Sequence, residues 1–303
     1  MFLTCFTTFK QSFSDELAIG LFSSMVIDLQ QLQKSLEENP FSLRWCSEAV
    51  SVVKKTHSHF LDFESSWEAV HMIDEYMSAT LDLLDLCNLI KSAISGLDKY
   101  RMMIHFTVTR LNDVAFSSSR SKVELERVER ENYNEFFDVK KLRELKLNKE
   151  GVMTNTNMQV MQGIRSTMYV ISLFIFCSIL HPIQVTADEG FYVRFCNSGS
   201  SPDCIRKLVA CFNEKYQNAQ QFKRPVLHEN EMVEDAFDEF KGIIVSTREA
   251  GVDAGKLAKS LETLKDKSLV LKEGLDLLEY EVDELFENVI EGRKRVINLL
   301  TIY

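Results

Sequence analysis

An all-α fold is what this sequence predicts: an elongated bundle of long antiparallel helices with a charged, partly disordered central arm. Three observations carry the prediction. Glycine and proline are scarce, 11 and 4 in 303 residues, so few turns can be punctuated and the elements must be long. Apolar residues recur at steps of three and four through most of the chain, the period of a helix with one apolar stripe. From Leu257 to Val296 the steps lock into a heptad seam.

Taken in order, Phe13, Leu17, Leu21, Met25, Val26, Leu29 and Leu32 predict a helix over 10–38. Asn39–Pro40 ends it, because proline disfavours a helical residue before it. Ser42 is placed to cap a second helix over about 42–63, striped by Trp45, Ala49, Val52, Val53, Thr56 and Phe60. Trp67 opens a third helix to about Ser95, striped by Val70, Ile73, Met77, Thr80, Leu84, Cys87 and Ile94. Leu81, Leu83 and Ile90 widen that stripe enough for burial on more than one side. Gly96 is the expected stop, with a further helix over 97–113.

Residues 115–158 differ. They open on Ser117–Ser118–Ser119 and continue in dense mixed charge with few apolar anchors, the composition of a linker or exposed arm. A helix over 159–181 follows, ended or kinked by Pro182, and its core Met168–Leu180 is the most apolar stretch of the chain. After a loop containing Gly190 and residues 197–202, Ile205, Leu208, Val209, Phe212 and Tyr216 stripe a helix over 203–218. Another covers 229–248. Ala250–Gly251 and Gly255 mark a break before the last helix, which starts near Lys256. The chain thus divides into an N-terminal helical half, 1–114, the arm, 115–158, and a C-terminal helical half, 159–303, with both halves packing as one bundle.

In the last helix, Leu257, Leu264, Leu271, Leu278 and Leu285 are seven apart. Leu261, Leu275, Val282, Val289 and Val296 fill the alternate steps, and the pattern breaks only at Ser268 and Gly292. Leu264, Leu271, Leu275, Leu278, Val282, Leu285 and Val289 therefore form the candidate interaction seam. It can pair with helix 229–248 and the N-terminal helices of its own chain, or with a partner in a coiled coil.

The net charge of −10 argues against nucleic acid and against an electrostatic hold on anionic lipid. The basic runs Lys223–Arg224 and Arg293–Lys294–Arg295 are short. Met1–Phe9 lacks the basic n-region of a secretory signal. The seven cysteines are an odd and scattered set, which reads as reduced thiols in the cytoplasm. Cys196, Cys204 and Cys211 are spaced by eight and seven, not as zinc ligands; Cys196 alone could reach Cys204. The six histidines show no metal spacing and read as surface or half-buried. No phosphate loop, dinucleotide fingerprint or nucleophile elbow occurs. No catalytic, cofactor or metal residue is assigned, and an enzyme of unrecognised type would have to reveal itself by a concave pocket with converging polar groups.

Met168–Leu180 has thirteen residues, short of the ~20 a spanning helix needs. Widening to Ser166–Val185 reaches that length but takes in His181, Pro182 and Gln184. Two readings stand: a buried core helix, or an anchor through 166–185 that would place the protein at the endoplasmic reticulum or plasma membrane.

Trp45, Thr56–His57, Trp67 and Leu84-Asp85-Leu86-Cys87-Asn88 resemble the N-terminal half of plant BYPASS-type proteins. Gly163-Ile164-Arg165 before an apolar run is similar to their mid-chain helix. Glu281–Phe286 followed by Gly292–Arg293 is similar to their ending. The resemblance covers most of the chain except the 115–158 arm. It implies an all-helical protein without catalytic residues that acts in development by restraining a mobile root-derived signal. The related ROH-type proteins imply a second role, binding exocyst subunits. Within the motif, Leu84 and Cys87 are expected to pack, and Asn88 to make a buried hydrogen bond or touch a partner. The sequence thus predicts a regulatory adapter with protein partners, no cofactor and no nucleic acid; whether it also self-associates is open.

Overall fold

In the computed structural model of the chain, the described residues are 13–62, 70–113, 128, 156–180, 203–221, 225–250 and 254–300. They form seven helices: α1 (Phe13–Glu38), α2 (Leu43–Asp62), α3 (Val70–Asp113), α4 (Thr156–Ile179), α5 (Asp203–Gln221), α6 (His228–Ala250) and α7 (Ala254–Leu300). No strand occurs among the described residues.

The corner between α1 and α2 shows how the sequence sets these elements. Pro40 blocks continuation of α1, and Phe41 turns the chain with φ of 52°, a left-handed conformation that a bulky residue holds only under external support. That support is aromatic: the Phe41 ring meets Phe212 edge-on at 5.1 Å and Tyr216 at 6.3 Å. Ser42 caps α2 as expected, its hydroxyl accepting the Trp45 N–H at 3.1 Å. The Leu43 N–H donates to both carboxylate oxygens of Glu229, at 3.1 and 3.0 Å, and the His228 N–H donates to the Phe41 carbonyl at 3.1 Å. The start of α6 thereby closes the start of α2, a favourable place for a carboxylate because the helix dipole is positive there.

Four helices make a closed ring: α2 lies beside α4 and α7, and α3 beside the same two. Outside the ring, α6 lies along α7, α1 along α2, and α5 against α1. Cross-helix contacts give the directions. Arg293, Asp283 and Ser268 of α7 meet Met77, Lys91 and Arg101 of α3, so these two run antiparallel. Gly274, Glu284 and Gly292 of α7 meet Leu43, Lys54 and His57 of α2, so these two run parallel. The bundle is therefore not antiparallel throughout.

The heptad seam is occupied by the chain's own helices. Leu264, Leu271, Leu275, Leu278, Val282, Leu285 and Val289 are all buried, at 3% exposure or less. Both breaks have a use: the Ser268 hydroxyl accepts from Arg101 Nη1 at 3.3 Å, and Gly292 receives a tyrosine described below. An intermolecular coiled coil through this seam would require the bundle to open, so the intramolecular alternative is the one realised.

Every residue from Met168 to Leu180 is buried, Ser172 and Ser178 included. With α2 and α3 on two sides, α4 has a third covered by α5, where Phe212 stacks on Phe174 at 3.9 Å. Among the described residues no helix is long and apolar enough to cross a membrane. The core alternative accounts for 166–180; residues 181–185 of the anchor reading lie outside the described residues.

Two expectations are corrected. Gly96 does not stop a helix: α3 runs unbroken from Val70 to Asp113. The buried set Ile90, Ile94, Leu97, Ile104 and Val108 continues in phase across it. The ~1 kcal/mol that glycine costs a helix is outweighed by several apolar side chains at ~1.5–3 kcal/mol each. Leu81, assigned to the apolar face, is 51% exposed. Of the 115–158 arm, only Val128 and the first turn of α4 are described, and Val128 is buried against the core. Met1–Phe9, Trp67 and Cys196 lie outside the described residues, and Cys204 carries a free thiol.

Candidate functional site

The motif residues from the two ends of the chain meet where α2, α3 and α7 touch. His57 follows Cys46, Ala49, Val50 and Val53 at helical steps along the buried stripe of α2, so the helix carries it inward to 1% exposure. Its Nε2 shares a hydrogen bond of 3.2 Å with the Tyr76 hydroxyl of α3. Tyr76 is fully buried and stacks on His57, with Phe60 edge-on at 5.1 Å. Gly292 of α7 makes room for this pair: a Cβ there would lie 2.5 Å from the Tyr76 oxygen, 2.9 Å from Leu61 Cδ1 and 3.1 Å from His57 Cε1.

One residue on, Arg293 reaches from α7 to α3. Its Nη1 donates to the Met77 carbonyl at 2.6 Å and to the Thr80 hydroxyl at 2.8 Å. The Thr80 hydroxyl in turn donates to the Tyr76 carbonyl at 2.7 Å. A guanidinium bonded to a helix-interior carbonyl and to a fully buried hydroxyl ties α7 to α3 directly beside the His57–Tyr76 pair. Burial lowers the His57 pKa to about 4, because a charged imidazole cannot be hydrated there. The ring is neutral at neutral pH and closed to solvent, and it joins α2 to α3 through Tyr76.

The remaining motif residues divide between packing and surface. Trp45 is fully buried, its Nε1–H donating to the Leu32 carbonyl at 3.2 Å. Leu84 and Cys87 are buried as expected, and burial pushes the Cys87 thiol up to about 12, far from a thiolate nucleophile. Cys46 is raised further by the same cause. Asn88, in contrast, is exposed, as is Asp85, so of the two roles open to Asn88, a buried hydrogen bond or a partner contact, the buried hydrogen bond is not made. The closing motif works by alternation. Glu281 and Glu284 meet Lys54 of α2 at 3.5 and 2.6 Å, Asp283 meets Lys91 of α3, and Val282 and Leu285 face the core.

Sequence reasoning missed three features. Tyr76 was not singled out, although it lies four residues before Thr80 on the same face. Arg165, named in the sequence only within the Gly163-Ile164-Arg165 motif, is 11% exposed and clamps α4 to α3: Nη1 meets Glu75 Oε1 at 2.7 Å and Nη2 meets Asp82 Oδ2. The seven-residue spacing of Glu75 and Asp82 was the available signal. The third is the crossing of α3 and α6, where the Tyr100 phenol bonds the Glu234 carboxyl. Burial and the neighbouring Asp238, Asp235 and Glu231 raise that carboxyl to about 7. Among the described residues no group of three or more His, Cys, Asp or Glu is arranged to hold a metal ion.

No family model matches the chain, and no curated protein or solved structure matches it.

Proposed function

We propose that this protein is a non-catalytic regulatory adapter acting through protein–protein contacts, in the manner of plant BYPASS-related proteins. On this reading it works in the cytoplasm, in restraint of a root-derived developmental signal. Exocyst subunits are the partners of its ROH-like alternative. One observation carries the reading: the Leu84–Asn88 motif has two sides. Leu84 and Cys87 face inward and fix the bundle, while Asp85 and Asn88 stand on the surface of α3 beside the exposed Leu81. Polar groups that make no packing contribution are free to meet another protein.

The test is a double substitution, Asp85→Lys with Asn88→Ala. Both positions are exposed, so helicity and melting should stay within ~0.5 kcal/mol of the unmodified chain. Proximity labelling in plant cells is expected to lose a defined set of neighbours, exocyst subunits among them if the ROH-like alternative holds. Unchanged neighbours for this variant and for variants of every other exposed face would end the adapter reading.

A further inference from the structure

We propose that the solvent face of α7 is a docking surface for a basic amphipathic helix of a protein partner. The inference rests on the adapter reading and specifies its surface and the chemistry of its partner. Opposite the buried seam, α7 presents Leu269, Val270, Leu277 and Tyr280, exposed by 54, 48, 55 and 59%. Val270 to Leu277 is one heptad, and Leu277 to Tyr280 a step of three, so the four line one stripe of the helix. Leu269 to Tyr280 spans about 16 Å at ~1.5 Å per residue, three turns of exposed apolar surface.

Charge selects the occupant. Three lysines, Lys265, Lys267 and Lys272, stand around the Leu269–Val270 end of the stripe, but from Glu273 to Glu291, along the Leu277–Tyr280 end, the helix carries eight acidic residues and no basic one. Lys54 and Lys91 answer Glu281, Glu284 and Asp283 on the flanks toward α2 and α3, and Asp276 pairs with Lys272 of its own helix. Glu273 and Glu287, on the outer side with Tyr280, make no ion pair among the described residues. The Tyr280 hydroxyl donates to Glu284 at 2.9 Å, holding the ring across the stripe. A second copy of α7 would set acid against acid, and an anionic lipid surface or nucleic acid has the same sign. An amphipathic helix with leucine-like residues at i, i+3/i+4 and i+7 and flanking lysine or arginine meets both the stripe and its rim.

The experiment uses the full chain and two synthetic peptides of identical composition. One is a 20-residue Leu/Lys amphipathic helix; the other has its order scrambled. Binding is followed by fluorescence anisotropy at ~0.15 M salt, where long-range attraction is screened. The amphipathic peptide is expected to bind one to one, and the scrambled one about tenfold more weakly or worse. Leu277→Ser with Tyr280→Ser should weaken binding about tenfold, as should Glu273→Lys with Glu287→Lys, while Phe106→Ser on α3 changes nothing. The charge pair keeps the test open if the apolar pair disturbs the fold. Equal binding of both peptides, or insensitivity to both α7 pairs, overturns the proposal. If α7 variants keep their labelled neighbours in cells while Asp85/Asn88 variants lose them, the α7 surface fails and the adapter reading stands.

Discussion

Gly292→Ala and Gly242→Ala are the same chemical change on two helices, and the structure gives them opposite signs. Alanine in place of glycine inside a helix stabilises by about 1 kcal/mol through backbone entropy. At Gly242, exposed on α6, a Cβ meets nothing within 4 Å, so the full gain of about 1 kcal/mol is expected. At Gly292 the same gain is opposed. The new carbon would lie 2.5 Å from the Tyr76 oxygen and 2.9 Å from Leu61 Cδ1, and Tyr76 is fully buried and bonded to His57. Overpacking of this kind costs about 1–3 kcal/mol, and displacing Tyr76 from His57 forfeits about 1 kcal/mol more. The net expectation is a loss of about 1–3 kcal/mol, opposite in sign to the exposed site. Urea unfolding followed by helical circular dichroism measures both, with unchanged slopes as the check on two-state behaviour. Adding Tyr76→Phe to Gly292→Ala removes the oxygen in the way, so the pair should cost at least about 1 kcal/mol less than the sum of its parts. If Gly292→Ala proved as stable as the unmodified chain, the close approach of Tyr76 to α7 would be refuted.

Three further outcomes follow from other contacts. Arg165→Met leaves Glu75 and Asp82 without their partner and should cost about 2 kcal/mol, less than a fully buried pair because both acids keep some water; adding Glu75→Gln and Asp82→Asn should restore most of it in the same urea assay. Glu234 has a folded-state pKa raised to about 7 from an ordinary 4.5, so the folded state holds a proton the unfolded state has lost, and the stability this contributes is present below 4.5 and lost as pH rises through 7. Glu234→Gln, which mimics the protonated form, should therefore match the unmodified chain at pH 4.5 and exceed it at pH 8 by at most about 3 kcal/mol; a gap that stays flat with pH would count against the raised pKa. Brief alkylation with peptide mapping should mark half-buried Cys211 well before Cys46, Cys87 and Cys177, all buried, and early labelling of Cys87 would contradict its place in the core.

The helices were legible because their apolar periods are strong and their caps ordinary: Ser42 starts α2 where its hydroxyl can accept, and Pro40 ends the run before it. The seam of α7 was legible as a seam, but its partners were not, since periodicity states that a face is covered and not by what. Gly96 misled because a local stop signal competes with burial that only the assembled bundle supplies. For Asn88 the sequence left two roles open, and local geometry separates them: one helical step from Cys87 turns a side chain by about 100° and moves it from core to solvent. The His57–Tyr76–Gly292–Arg293 joint lay beyond single-sequence reasoning because its two halves, His57–Tyr76 and Gly292–Arg293, are separated by more than two hundred residues, and nothing local marks a tyrosine that will abut a glycine so far along the chain.

That the ring closes through α7 has a consequence for how the protein comes into being. Emerging from a ribosome, α2, α3 and the greasy α4 are made before the helix that shields two of them, and every bond of Arg293 to Met77 and Thr80 waits until α7 has been made. A translating chain stalled short of that helix would present a half-built barrel with one stave missing. Chaperones that hold unfinished apolar surfaces are thus expected to visit this protein while α7 is still missing and to leave once it seats.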